Sequence, residues 1–191
     1  MPNKFLLPNS INQVLFVFAL EAEAADEFKG YNTLFTGIGK VSAAYSLTKH
    51  LQQWKPSLIL NLGSAGSGQF KRGEVICCSK FIQRDMDVRG LGFQQYETPF
   101  ANMPVVLEYG MVLPELPQGI CGSGDTFEMM HFCNDYNVID MEAYALALIA
   151  MKENVPFLCL KYISDGADGL AADDWSVNVH KAAKAFKEVL F

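Results

Sequence analysis

Apolar residues fall along the chain in short blocks separated by amphipathic stretches. "VLFVFA" (residues 14–19) is a continuous apolar run of strand length, and "NTLFT", "SLILNLG" and "EVICCSKFI" repeat the pattern downstream. Between them "KVSAAYSLTKHLQQW" places Val41, Ala44, Tyr45, Leu47, Leu51 and Trp54 near helical spacing. "EAEAADEF" (21–28) reads as a short helix. "VID" leads into a helix over "MEAYALALIAMKE", and "NVP" closes that helix ahead of a last apolar strand, "FLCLKYI". A final helix starts near Ser176 and turns Val179, Ala183, Phe186 and Leu190 to one face. The stretch of residues 90–117, rich in Gly and Pro, reads as loose. Strands alternating with helices predict an α/β fold: a single-domain three-layer α/β/α arrangement over residues 1–191 with a mostly parallel mixed sheet.

Composition narrows this picture. In 191 residues, half are hydrophobic and 19% charged, which is enough for a sizeable core. The net charge of −6, with only three arginines, argues against nucleic acid or an anionic membrane as partner. Five cysteines, without a C-x-x-C pair, and three scattered histidines predict reduced thiols in a cytoplasmic protein and no metal site. Lys4, the apolar run and "ALEAEA" imitate a secretory leader, but the run is short and acids follow it, so a first core strand is expected.

Ligands of such sheets sit beyond the carboxyl ends of the strands. Glu21 and Glu23 follow the first strand there, "TGIGK" the second and "GSAGSG" the third, with "SGDTF", "DMEA" and "SDGAD" at later ends. Taken singly, each fits a tight turn, a helix-start acid or a cap. Lys161 resists such an account, because lysine is almost never buried unpaired.

In this order, "ALEAE", "GIGKVSAA", "NLGSAG", "SGDTF", "MEAYA" and "ISDGAD", with "DMDVRGLGFQQYETP", resemble the nucleoside phosphorylase/nucleosidase superfamily, and most closely the 5'-methylthioadenosine/S-adenosylhomocysteine nucleosidases. The resemblance implies a phosphorylase/hydrolase-like fold and hydrolysis of the N-glycosidic bond of a purine nucleoside, with no cofactor, in a homodimer; the alternatives are a futalosine-type hydrolase, a purine nucleoside phosphorylase, or a weakly active nucleoside-binding descendant. It implies that Glu23 deprotonates the attacking water, held by Ser64 with Lys161 nearby, and that Asp165 serves N7 of the departing base. Glu142 grips the ribose hydroxyls over Met141, Phe127 stacks on the base, and Ser164 and Glu128 belong to the substrate site. Ile38 and Trp175 line the 5' end, and Leu91 and Pro99 reach the partner subunit's pocket. Phosphorylases keep arginines where Asn61 and Glu23 stand here, so water is the expected nucleophile.

The chain departs from the family pattern in three ways. Lys161 replaces an arginine, Asp140 replaces a glutamate, and the chain is shorter: the segment before "SGDTF" is too short for the helix expected there, and "EMMHFCNDYN" is a curtailed link to "VIDMEA". Glu128, after Phe127, poses a choice. Turned outward, it leaves adenine preferred; turned inward, its carboxylate accepts from N1–H and the 2-amino group of guanine. A solvated, outward glutamate is expected from its place at a helix start.

Overall fold

The computed structural model describes residues 11–131 and 133–191; Lys4 and the turn residues before Ile11 lie outside them. Among the described residues, eight strands carry the fold: β1 (Val14–Phe18), β2 (Thr33–Phe35), β3 (Leu58–Gly66), β4 (Val75–Gln83), β5 (Val106–Glu108), β6 (Gln118–Ser123), β7 (Val138–Asp140) and β8 (Phe157–Asp165). Five helices connect or cover them: α1 (Glu21–Ala24), α2 (Lys40–Leu51), α3 (Ala143–Lys152), α4 (Ala171–Asn178) and α5 (Ala182–Leu190).

The sheet runs β2-β1-β3-β7-β6-β4-β5, and β8 bridges β3 and β4. Strands β3, β8, β4, β6 and β7 therefore close into a ring, with β1 and β2 extending it beside β3 and β5 beside β4. Pairing is parallel for β1 with β2 and β3, β3 with β8, and β6 with β4 and β7. It is antiparallel for β4 with β5 and β8, and for β3 with β7, where Gly66 meets Ile139. The mixed, mostly parallel sheet follows the expectation.

The apolar runs are continuous because both strand faces are covered. Leu15, Val17 and Ile59 pack with Ala43 and Leu47 of α2 and with α3. Val14, Phe16, Phe18, Leu58, Leu60 and Leu62 face the other way, onto Phe28 and the α5 residues Ala183, Phe186 and Leu190. Burying a side chain such as Phe186 stabilises the fold by about 1.5–3 kcal/mol.

Several element ends differ from the sequence expectation. Helix α1 stops at Ala24 because Ala25 takes φ 45°, so Phe28 is reached in a turn. Strand β3 continues through Ser64 to Gly66, held by its pairing with β8. The last helix begins earlier, at Ala171, and is broken by a 3₁₀ turn at Val179–Lys181 before α5. The stretch read as loose contains β5, which pairs with β4. Among the described residues, no helix lies between β5 and β6 or between β6 and β7, and none is long and apolar enough to cross a membrane.

Candidate active site

The carboxyl ends of β1, β3, β6, β7 and β8 converge on one cavity of about 340 Å³. Its wall includes Glu23, Ile38, Ser64, Phe127, Glu128, Met141, Glu142, Asp165 and Trp175, nine of the positions singled out from the sequence. Residues as far as 152 positions apart in the chain, Glu23 and Trp175, thus face one space, as the strand-end argument requires.

Glu23 is almost fully buried, and its carboxylate is saturated with donors. Oε2 accepts from the backbone N–H of Ala19 (3.1 Å) and Leu20 (3.0 Å), the free amides of the α1 start. Oε1 accepts from the Ser64 N–H and the Ser64 hydroxyl, both at 2.7 Å. The Trp175 indole N–H in turn donates to Ser64 Oγ at 3.0 Å. Such a set fixes the direction of the carboxylate without any further support.

Asp165 ends β8 and is 3% exposed. Its Oδ1 accepts from the Ala167 N–H at 3.0 Å, and Oδ2 lies 2.8 Å from the Ser164 hydroxyl. Burial pushes its pKa above the ordinary aspartate value, so a proton is held more tightly there. Gly66 makes this placement possible: a Cβ at that position would stand 2.6 Å from Asp165 Oδ1.

Glu142 precedes α3 and accepts from the Gly39 N–H at 2.8 Å, the amide at the start of α2. Burial pushes its pKa up to about 8, Asp140 adding to the effect and Lys161 opposing it.

Lys161 answers the question its sequence raised. It is 1% exposed, and its ammonium lies 2.7 Å from Asp140 Oδ2. Burial opposes the charge, but Asp140 more than compensates and holds the Lys161 pKa well above the ordinary lysine value. Burial would likewise raise Asp140, yet Lys161, the Ser123 hydroxyl (2.5 Å) and the Ala143 N–H (2.8 Å) keep it below the ordinary range. The two departures from the family pattern are therefore one ion pair. Two shorter side chains face each other across β7 and β8, and the same aspartate caps α3.

Three sequence expectations need correction. Lys161 does not line the cavity; it stands behind the wall, with its ammonium and Glu23 Oε1 both against the Cβ side of Gly63, 3.2 and 3.4 Å from where a Cβ would be. Ser164 is fully buried beneath Asp165, between that carboxylate and the Ala65 carbonyl, so it orients the acid instead of meeting a ligand. Glu128 is not solvated: its side chain is 15% exposed and pairs with Arg84 at 3.2 Å. Leu91 and Pro99 lie away from this cavity; Leu91, in the 3₁₀ turn Arg89–Leu91, is 75% exposed.

Sequence reading missed Arg84, which lines the cavity. Its signal was available. Arg84 directly follows β4, whose Gln83 is level with Ser123 at the end of β6, so it belongs to the same rim. Asn61, in contrast, is locked inside the sheet, donating to the Val17 carbonyl at 3.2 Å.

The phosphorylase superfamily model matches residues 32–190. A 5'-methylthioadenosine/S-adenosylhomocysteine nucleosidase of Haemophilus influenzae is 34% identical over 173 residues, 79% of this chain and 75% of that protein. One of Marinomonas sp. is 31% identical over 162 residues, 73% and 69% of the two chains. Among solved structures, the Helicobacter pylori 5'-methylthioadenosine/S-adenosylhomocysteine nucleosidase with butyl-thio-DADMe-Immucillin-A superposes with a TM-score of 0.81 at 20% identity, covering 93% of this chain and 97% of that one. Futalosine hydrolase of the same organism reaches 0.83 at 19% identity, covering 94% and 96%. At those identities the solved structures speak for the fold.

Proposed function

Because the chain belongs to the phosphorylase superfamily and, within it, to the 5'-methylthioadenosine/S-adenosylhomocysteine nucleosidases, we propose that it hydrolyses the N-glycosidic bond of a 5'-modified adenosine and releases the free base. The observation that carries this reading is the pairing of two unlike carboxyl groups on one cavity. Glu23 is fixed by four donors beside Ser64, whereas Asp165 is buried with a raised pKa.

Cleavage of a glycosidic bond passes through an oxocarbenium-like state and needs a base for water and an acid for the leaving group. Glu23 takes the proton of a water that the Ser64 hydroxyl helps to hold. Asp165, where burial holds a proton more tightly, donates to N7 of the departing purine, which avoids release of a bare purine anion. Glu142 accepts from the ribose hydroxyls above Met141, Phe127 stacks on the base, and Ile38 and Trp175 bound the 5' group. Lys161 is the buried cation that pairs with Asp140 behind the wall, so it is the Glu23 carboxylate that faces the positive charge developing on the sugar.

Water as nucleophile is supported by the one guanidinium on the cavity wall among the described residues. The terminal nitrogens of Arg84 are spent on Thr126, Gly124 and Glu128, which leaves a phosphate without its usual clamp. A homodimer is supported by the exposed apolar residues Leu91 and Phe100 on the segment that carries Pro99. A cytoplasmic location is supported by five free cysteines. The test is base release from 5'-methylthioadenosine with and without phosphate. Equal rates and a free sugar product are expected; phosphate-dependent release of a sugar 1-phosphate overturns the water assignment.

A further inference from the structure

Beside Phe127 the cavity wall is charged, and the charges are locked in place. Glu128 Oε1 lies 2.6 Å from His131 Nδ1, and Oε2 lies 3.2 Å from both Arg84 Nη1 and the Tyr136 hydroxyl. The Arg84 and His131 side chains are 6% and 7% exposed. This cluster ties the loop that carries Phe127 to the end of β4.

The hydrogen-bond inventory decides what the wall can offer. A carboxylate has about four acceptor positions. His131, Arg84 and Tyr136 take three of them, leaving one on Oε1. Arg84 has no donor to spare: Nη1 serves Thr126 Oγ1 (3.1 Å) and Glu128, Nη2 serves the carbonyls of Gly124 and Thr126, and Nε is buried against protein without a partner. His131 spends its second nitrogen on the Tyr136 carbonyl at 3.0 Å. Guanine, which needs two acceptors on one edge, is therefore not matched. A 6-oxo oxygen would face a carboxylate, with no donor from Arg84 to receive it. A 6-amino group finds the remaining acceptor.

Resting on the nucleosidase reading above, we propose that Glu128 is a specificity-determining residue that accepts a hydrogen bond from the 6-amino group of the purine. Arg84, His131 and Tyr136 are positioning residues that hold the carboxylate ready, so little reorganisation accompanies binding. Hydrogen bonds to charged groups are among the stronger ones, and losing this one corresponds to about 10- to 100-fold in affinity.

The test compares two 5'-methylthio nucleosides that differ only in a 6-amino or a 6-oxo purine. Wild type favours the amino compound. In Glu128→Leu the KM for that compound rises about 10- to 100-fold with kcat nearly kept, and turnover of the oxo compound is unchanged or improved. Because Glu128→Leu leaves Arg84 uncompensated, Arg84→Met/Glu128→Leu repeats the comparison without an orphaned charge. An equal fall for both nucleosides, which a merely structural cluster would give, overturns the proposal. Release from neither nucleoside by wild type instead defeats the nucleosidase reading. The proposal is then read from binding of free adenine against hypoxanthine: a preference for adenine that Glu128→Leu abolishes supports it, and equal binding by wild type overturns it.

Discussion

Replacing Glu23 by Gln separates chemistry from architecture. The carboxylate accepts from four donors, the N–H groups of Ala19, Leu20 and Ser64 and the Ser64 hydroxyl. An amide has one oxygen, so one pair of donors must face its NH₂ group. Turned toward α1, the NH₂ strands two backbone N–H groups. Turned toward Ser64, it strands one, because the hydroxyl can rotate to accept. The second arrangement is cheaper and leaves a single unpaired buried N–H, which costs about 1–3 kcal/mol. For a chain of 191 residues each kcal/mol lowers the Tm by roughly 2–4 °C. Glu23→Gln should therefore fold, melt about 2–12 °C lower, and lose the ~10²–10⁴-fold contribution of a general base. Thermal melting and liquid-chromatographic measurement of released base give the two quantities on one preparation. A variant that melts lower but keeps more than about a tenth of wild-type turnover refutes the role of Glu23 as the base.

Asp165→Asn should keep its contacts with Ala167 and Ser164, because that hydroxyl can turn to suit the amide; melting stays near wild type while base release falls ~10²–10⁴-fold, and near-full activity removes Asp165 from the mechanism. Lys161→Met strands Asp140 in the core and should cost about 3–5 kcal/mol in denaturant unfolding, most of it recovered in Lys161→Met/Asp140→Asn; a loss under ~1 kcal/mol in the single variant contradicts the pairing. Glu142 keeps its proton to about pH 8 when folded and gives it up near the ordinary value of 4.5 when unfolded. Its stabilisation is therefore complete below pH 4.5 and is lost as pH rises to about 8, at up to ~1.4 kcal/mol per unit. The Tm of wild type minus that of Glu142→Gln should fall across that window, and parallel curves would show that Glu142 titrates normally.

What the sequence determined is what local patterning and chain order can carry. Apolar runs such as Val14–Phe18 mark strands buried on both faces, since no other short element hides every residue. The alternation of strands and helices imposes parallel pairing, and parallel pairing sends Glu23, Ser64, Glu142 and Asp165 to one rim. Tertiary structure alone decided which of these groups touch. Lys161 and Asp140 meet because β8 crosses between β3 and β4 and closes the ring onto β7, a register that no local pattern contains. Ser164 falls behind Asp165 because neighbouring strand residues point to opposite faces, and Lys161 stands behind the wall because its ammonium pairs with Asp140. Glu128 is held inside by Arg84 and Tyr136, which lie 44 positions before it and 8 after it. Helix-start preference speaks for one residue and its own turn; it says nothing about an arginine that the fold delivers from another strand.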